Sequence, residues 1–181
     1  LAEYLQSVDQ EELARVIPVV EAVASMGVPV SVDTVKPAVM RAAIQAGASI
    51  INDINALRAP GAMAAVAASE VGVCLMHMQG EPRSMQSAPV YEDVVQEVDA
   101  FLREQAQQLV ACGVDRARIA LDPGFGFGKS LTHNLQLFRG MQALGAGAWS
   151  LLVGVSRKSM LGAVTGRAVS ERVSASVAAA V

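Results

Sequence analysis

The ten residues VPVSVDTVKP, 28 to 37, pass from a valine-rich run through an Asp-Thr pair to a proline that can open a helix. Val28 to Asp33 has the short, β-branched character of a buried strand. Pro37 suits a first helical turn, where its missing N–H is no loss, and Gly47 supplies the stop for a helix over residues 37–46. Upstream, Gln10 to Ser25 carries helical periodicity and ends at Gly27.

The same plan recurs along the chain. ASIIND (48–53) reads as a strand, 60–69 as a helix and VGVCLMHM (71–78) as a strand; a polar loop over 79–89 leads to a long helix over 91–112, closed by Gly113. RIALDP (118–123) is the next strand, 132–144 the next helix, SLLVGVSRK (150–158) the last strand, and a further helix begins near Ser170. Uninterrupted alternation of this kind predicts an α/β domain on a parallel sheet, either doubly wound or closed as a TIM (β/α)8 barrel.

The polar residues choose between the two. Each apolar run ends in them: Asp33 and Thr34, Asn52 and Asp53, His77, Asp122, and Ser156, Arg157 and Lys158. Strand C-termini share one mouth in a barrel but spread along an edge in an open sheet, so polar ends on successive strands favour the barrel. A barrel commonly takes about 250 residues and eight strands. The 181 residues are therefore expected to form a single domain, truncated at both ends, with about five of those strands.

Composition narrows the function. With 52% hydrophobic, 17% charged and 4% aromatic residues and a net charge of −3, the chain has no basic footprint for nucleic acid or a membrane surface. No stretch approaches the roughly 20 apolar residues of a membrane span. Cys74 and Cys112 lack metal-ligand spacing and read as packing residues of a reduced compartment.

LDPGFGFGKS, 121 to 130, imitates a phosphate loop, but Pro123 stands where the Walker pattern needs its first glycine. Its glycines are read instead as letting the backbone pass close to a ligand, with Phe127 facing the mouth. That mouth would hold carboxylates, an amide, an imidazole and a Ser-Arg-Lys triplet, rimmed by Met76, Met78, Phe125 and Phe127. Such a set suits a flat, N–H-rich ring with an anionic tail: carboxylates accept from the ring edge, and basic groups take the tail. Each residue also has a plainer reading. Asp33, Asp53 and Asp122 suit cap or turn chemistry, Lys158 a helix start, His77 a satisfied strand-end histidine, His133 a cap, and Lys129 a structural or peripheral place. One of Met76 and Met78 is expected in the core.

The strings SVDT (31–34), IINDI (50–54), LMHMQG (75–80), LDPGFGFGK (121–129) and GVSRKS (154–159) together resemble the dihydropteroate synthase family. The resemblance spans essentially the whole chain. It implies a TIM-barrel transferase of folate biosynthesis, a target of sulfonamides, that joins 6-hydroxymethyl-7,8-dihydropterin diphosphate to 4-aminobenzoate with release of pyrophosphate. It further implies a cytoplasmic homodimer and Mg2+, whose protein ligand falls outside these residues. By position, Asp33, Asn52, Met76, Asp122 and Lys158 match the pterin pocket, and Phe127, Ser156 and Lys158 the 4-aminobenzoate side. No side chain is implied as a covalent nucleophile. A methyltransferase of the methyltetrahydrofolate/corrinoid type and a non-catalytic pterin-binding homologue are the alternatives. The diphosphate favours the synthase, because it gives the Ser-Arg-Lys end a task. Residues 1–181 alone are expected to form no measurable dihydropteroate from these substrates, which a product assay checks directly.

Overall fold

The computed structural model describes residues 2–82 and 84–181; Leu1 and, within the expected 79–89 loop, Arg83 lie outside the described residues. In chain order the elements are α1 (Ala2–Ala24), β1 (Ser31–Asp33), α2 (Pro37–Gln45), β2 (Ile50–Asp53), α3 (Ala62–Ala67), β3 (Gly72–Met76), α4 (Val94–Ala111), β4 (Ile119–Asp122), α5 (Leu131–Arg139), β5 (Ser150–Leu151), α6 (Ser159–Thr165) and α7 (Val173–Ala180). The five strands follow the sheet order β1-β2-β3-β4-β5, each beside its successor in sequence. The β1–β2 and β2–β3 pairs are parallel, as successive βα units produce. The chain divides into two compact units: the part up to Leu75 with Gln105–Ala120, and Met76–Glu104 with Leu121–Val181.

In the first unit the expected strand from Val28 joins the ladder only at Ser31. Pro29 has no amide to give, and Val30 contributes its carbonyl, to the amides of Ser49 and Ile50. From there the register sets Ser31 against Ile50 and Asp33 against Asn52. Alternation then buries Val32 and Ile51 and leaves the strand-end polar groups at the same level of the sheet. Pro37 opens α2 as predicted, and Val39, Met40 and Ala43 form its buried face. Full burial of Met40 or Ile51 contributes roughly 1.5–3 kcal/mol each. The helix α3 is shorter than the predicted 60–69, because Gly61 before it has φ +86 and breaks the right-handed path. At the opposite ends of the strands Arg118 donates to the carbonyls of Ser69 (2.6 Å) and Val71 (2.8 Å) and pairs with Glu70. That tie joins the start of β4 to the start of β3.

In the second unit α4 starts at Val94, later than the predicted 91, because Asp93 caps it: its Oδ1 accepts from the amides of Val95 (3.0 Å) and Gln96 (3.1 Å). The strand β4 stops at Asp122, since Pro123 has no N–H and Gly124 turns away at φ +66. This corrects the expected 150–158 strand. Leu152 donates to Leu121 O, and β5 ends at Leu151 where β4 has no further backbone to offer. The predicted helix 132–144 breaks at Gly140, where a Cβ would lie 2.8 Å from Val95 Cγ2, and continues as a 3-10 turn over Met141–Gly147. Before the expected last helix stands α6, which the sequence reading did not separate. The last helix itself opens at Val173, after a 3-10 turn that holds Ser170.

Glycine positions separate two costs. Gly27 (φ +74) has open space around a built Cβ, whereas at Gly124 (φ +66) the Cβ would meet His77 O at 2.0 Å. Gly27→Ala should cost the left-handed strain alone, about 1–2 kcal/mol. Gly124→Ala adds displacement of the His77 backbone and should cost about 3 kcal/mol or more. Urea unfolding midpoints at unchanged m-value measure both.

Candidate functional site

In the first unit the strand ends divide into engaged groups and one that is not. Thr34 is buried; its hydroxyl donates to Glu12 Oε1 (2.7 Å), and Glu12 also pairs with Lys36 (2.8 Å). Asp53 is fully buried and accepts from the amides of Asn55 (2.7 Å) and Leu57 (2.8 Å). It holds a turn in which Ala56 and Leu57 both have positive φ, 51° and 59°. The plainer reading of Asp53 is therefore the correct one. Asn52 donates from Nδ2 to Asp33 Oδ2 (3.2 Å). A carboxylate only accepts, so this contact fixes the amide orientation and turns Oδ1 the other way. Among the described residues, Asn52 Oδ1 is buried without a hydrogen-bond partner. Burial lifts the exposed-edge Asp33 carboxyl above the ordinary carboxylate value, the Asn52 hydrogen bond opposing and Glu12 adding to the rise.

The second unit is organised by the glycine loop after β4. Gly124, Gly126 and Gly128 all have positive φ, 66°, 82° and 61°. A Cβ on Gly128 would meet Gln79 O at 2.3 Å, the counterpart of the clash at Gly124. The nearest neighbours at Gly124 and Gly128 are thus backbone atoms of His77 and Gln79, whereas at Gly126 they are side-chain atoms of Lys158. Asp122, 7% exposed, accepts from Gly124 N at 2.7 Å. Asn134 accepts from Gly126 N (2.8 Å) and donates to Lys129 O and Ser130 O. The hydroxyl of Tyr91 donates to Gly128 O (2.9 Å).

Lys129 is at the centre of this loop. Only 3% exposed, its Nζ donates to the carbonyls of Gly124 and Phe127 (3.0 Å each) and of His77 (3.3 Å), and lies 2.9 Å from His77 Nδ1. The structural reading of Lys129 holds, in the interior rather than at the periphery. The His77 ring is buried against Phe101 (5.1 Å) and Tyr91 (6.1 Å). Phe125 is 1% exposed and stacks edge-on with Phe138, so it belongs to the core and not to the rim. Met76 and Met78 are both buried. His133 completes a capping box with Ser130, as one reading expected.

Phe127 and Lys158 come together: the ammonium lies 4.5 Å from the ring centroid, a cation–π contact. Burial lowers the Lys158 pKa, with Asp122 pulling it back up. Ser156 is exposed, two residues earlier on the same turn. A cavity of about 400 Å3 between α2 and α3, lined by Arg41, Ile44, Ala65 and Ser69, contains none of these residues. Among the described residues no three His, Cys, Asp or Glu side chains gather as a metal centre. None of the described helices is long and apolar enough to cross a membrane.

Successive parallel strands with polar C-terminal ends define an α/β chain of the TIM-barrel class, and solved relatives agree. The chain superposes with TM-score 0.90 on a Yersinia pestis dihydropteroate synthase in a sulfonamide drug complex, at 48% identity over 94% of this chain and 62% of that one. A Xanthomonas albilineans dihydropteroate synthase in complex with 7,8-dihydropteroate gives TM-score 0.86, at 50% identity over 94% and 63% of the two chains. The dihydropteroate synthase of Escherichia coli K12 is 50% identical over 173 residues, 95% of this chain and 61% of that protein. The pterin binding enzyme family matches residues 5–181. The chain belongs to that family and spans about three fifths of the length of the relatives it matches.

Burial pushes the Lys129 ammonium down to about 7, Asp122 opposing and Lys158 reinforcing. Between that pH and the ordinary 10.5 the unfolded chain carries a proton on Lys129 that the folded chain lacks, so stability rises with pH across the window. The stability difference between the parent and Lys129→Met should therefore grow from neutral pH to pH about 10. Denaturant unfolding at both pH values checks it; a constant difference would place the charge on Lys129 throughout.

Proposed function

We propose that the protein is a dihydropteroate synthase, which joins 6-hydroxymethyl-7,8-dihydropterin diphosphate to 4-aminobenzoate in folate biosynthesis. The observation that carries the proposal is Asn52 Oδ1, buried beside Asp33 and without a partner among the described residues. A buried acceptor without a donor is costly, and a pterin edge presents the N–H groups that would satisfy it. Names of relatives at 50% identity support the same substrate class.

On this proposal Asn52 Oδ1 and the Asp33 and Asp122 carboxylates accept from the pterin ring, Met76 covers a ring face, and Lys158 donates to the ring carbonyl. Phe127, Ser156 and Lys158 serve 4-aminobenzoate. The reaction breaks the bond between the pterin methylene and its diphosphate oxygen and forms one from that carbon to the aniline nitrogen, which gives up a proton. Pyrophosphate takes the bonding pair. Fixed carboxylates would stabilise positive charge as it develops on the pterin. Magnesium, if resident, would neutralise the departing diphosphate; the described residues gather no cluster to hold it, in keeping with a protein ligand outside them. Sulfonamide binding in place of 4-aminobenzoate and a cytoplasmic homodimer belong to the same proposal.

Calorimetry on the full-length enzyme tests it. Asn52→Ala and Asp122→Ala should each weaken pterin binding by about 1–3 kcal/mol, since each leaves a ring donor unpaired. Ser156→Ala should weaken 4-aminobenzoate binding with pterin affinity retained. Parent-like pterin affinity in both Asn52→Ala and Asp122→Ala would refute the assignment.

A further inference from the structure

Lys158 follows a strained turn, and the structure contains the parts that hold it. Arg157 has φ +54, a left-handed conformation that is costly for a residue with a Cβ. Both of its backbone polar groups are gripped from the N-terminal turn of α7. Its amide donates to Ser176 Oγ (2.9 Å), and its carbonyl accepts from Arg172 Nη1 (3.0 Å), which also approaches Lys158 O (3.5 Å). The two grips are themselves joined, since Ser176 Oγ donates to Arg172 O at 2.6 Å, one helical turn away. Arg172 Nε donates to Arg167 O (3.1 Å), so the guanidinium is oriented from its other edge. Its berth exists because α6 is bare at Gly162: a Cβ there would lie 2.2 Å from Arg172 Nη2.

We infer that Arg172 and Ser176, with the space left at Gly162, are positioning residues that lock the Ser156-Arg157-Lys158 turn and so aim the Lys158 ammonium over Phe127. With either grip removed, only one of the two contacts still offsets the left-handed strain at Arg157. Its relaxation would rotate the peptide that carries Lys158 and move the ammonium off the ring, 4.5 Å away in the locked state. The consequence for ligand binding rests on the pterin role proposed for Lys158; the lock itself does not.

The test uses the full-length enzyme and has two arms. In the first, the side-chain ammonium signal of Lys158, assigned by its loss in Lys158→Arg, is titrated by NMR. In the parent, burial holds that pKa below its ordinary 10.5. It should rise toward 10.5 in Arg172→Met and in Gly162→Ala, which keeps the arginine but fills its berth. Arg172→Lys, which can still donate to Arg157 O, should lie between. Ser176→Ala provides a milder variant should either of the others fail to fold. In the second arm Arg172→Met should bind the pterin substrate about tenfold more weakly, the scale of one lost charge-assisted hydrogen bond. It should add no further loss in a Lys158→Met background. A parent-like Lys158 titration in folded Gly162→Ala and Ser176→Ala overturns the lock. Equal losses from Arg172→Met with and without Lys158 overturn its action through that lysine. Parent-like pterin affinity of Lys158→Met overturns the ligand role of Lys158, while the titration arm still decides the lock.

Discussion

The loop that follows β4 is held by a lysine amino group in the protein interior. Lys129 Nζ collects the carbonyls of His77, Gly124 and Phe127 and touches His77 Nδ1. A loop of positive-φ glycines has little local preference for one path, and glycine loses the most backbone freedom on ordering. The carbonyls that such a path turns inward must also find donors. Lys129 supplies those donors from one atom, and Asn134 supplies the complementary acceptor to Gly126 N. Asp122 at one end of the loop and Phe127 near the other are placed by it.

The glycines of this loop differ in the room each leaves for a side chain. Gly124 and Gly128 pass within van der Waals distance of the 77–79 backbone, so a methyl group there would displace main chain and not a flexible side chain. His77 is the counterpart of this packing: its carbonyl sits over Gly124, its amide donates to Asp122 O (2.9 Å), and its ring fills the space between Phe101, Tyr91 and Lys129. These contacts fit the reading of His77 as a satisfied strand-end histidine.

A general pattern emerges from the strand ends. Several of the polar residues there are satisfied by the protein itself: Thr34 by Glu12, Asp53 by the amides of its own turn, His77 by Lys129 and two rings. Asn52 Oδ1 is different, because Asp33 takes the other end of the amide and nothing among the described residues takes this one. Lys158 is different as well: its ammonium faces the half-buried Phe127 ring, and the charge of Asp122 acts on it. Residue type at a strand end thus does not by itself tell which polar groups the fold has already engaged.

The residues by themselves determined the order of strands and helices, the parallel sheet and the polar character of the strand ends. Those features rest on local signals: valine runs, Pro37 at a helix start, Gly47 and Gly113 at helix ends. The strings around Asp33, Asn52, Asp122 and Lys158 also carried the family, because each matching string is contiguous. Only the tertiary structure decided which polar groups were already engaged, since Thr34 meets Glu12 and Lys129 meets His77 across 22 and 52 residues of chain. It likewise decided where β5 ends and that Arg172 grips the Lys158 turn. A strand persists only while its neighbour offers backbone partners, and a guanidinium finds carbonyls 14 and 15 positions away only once the helix between them has folded.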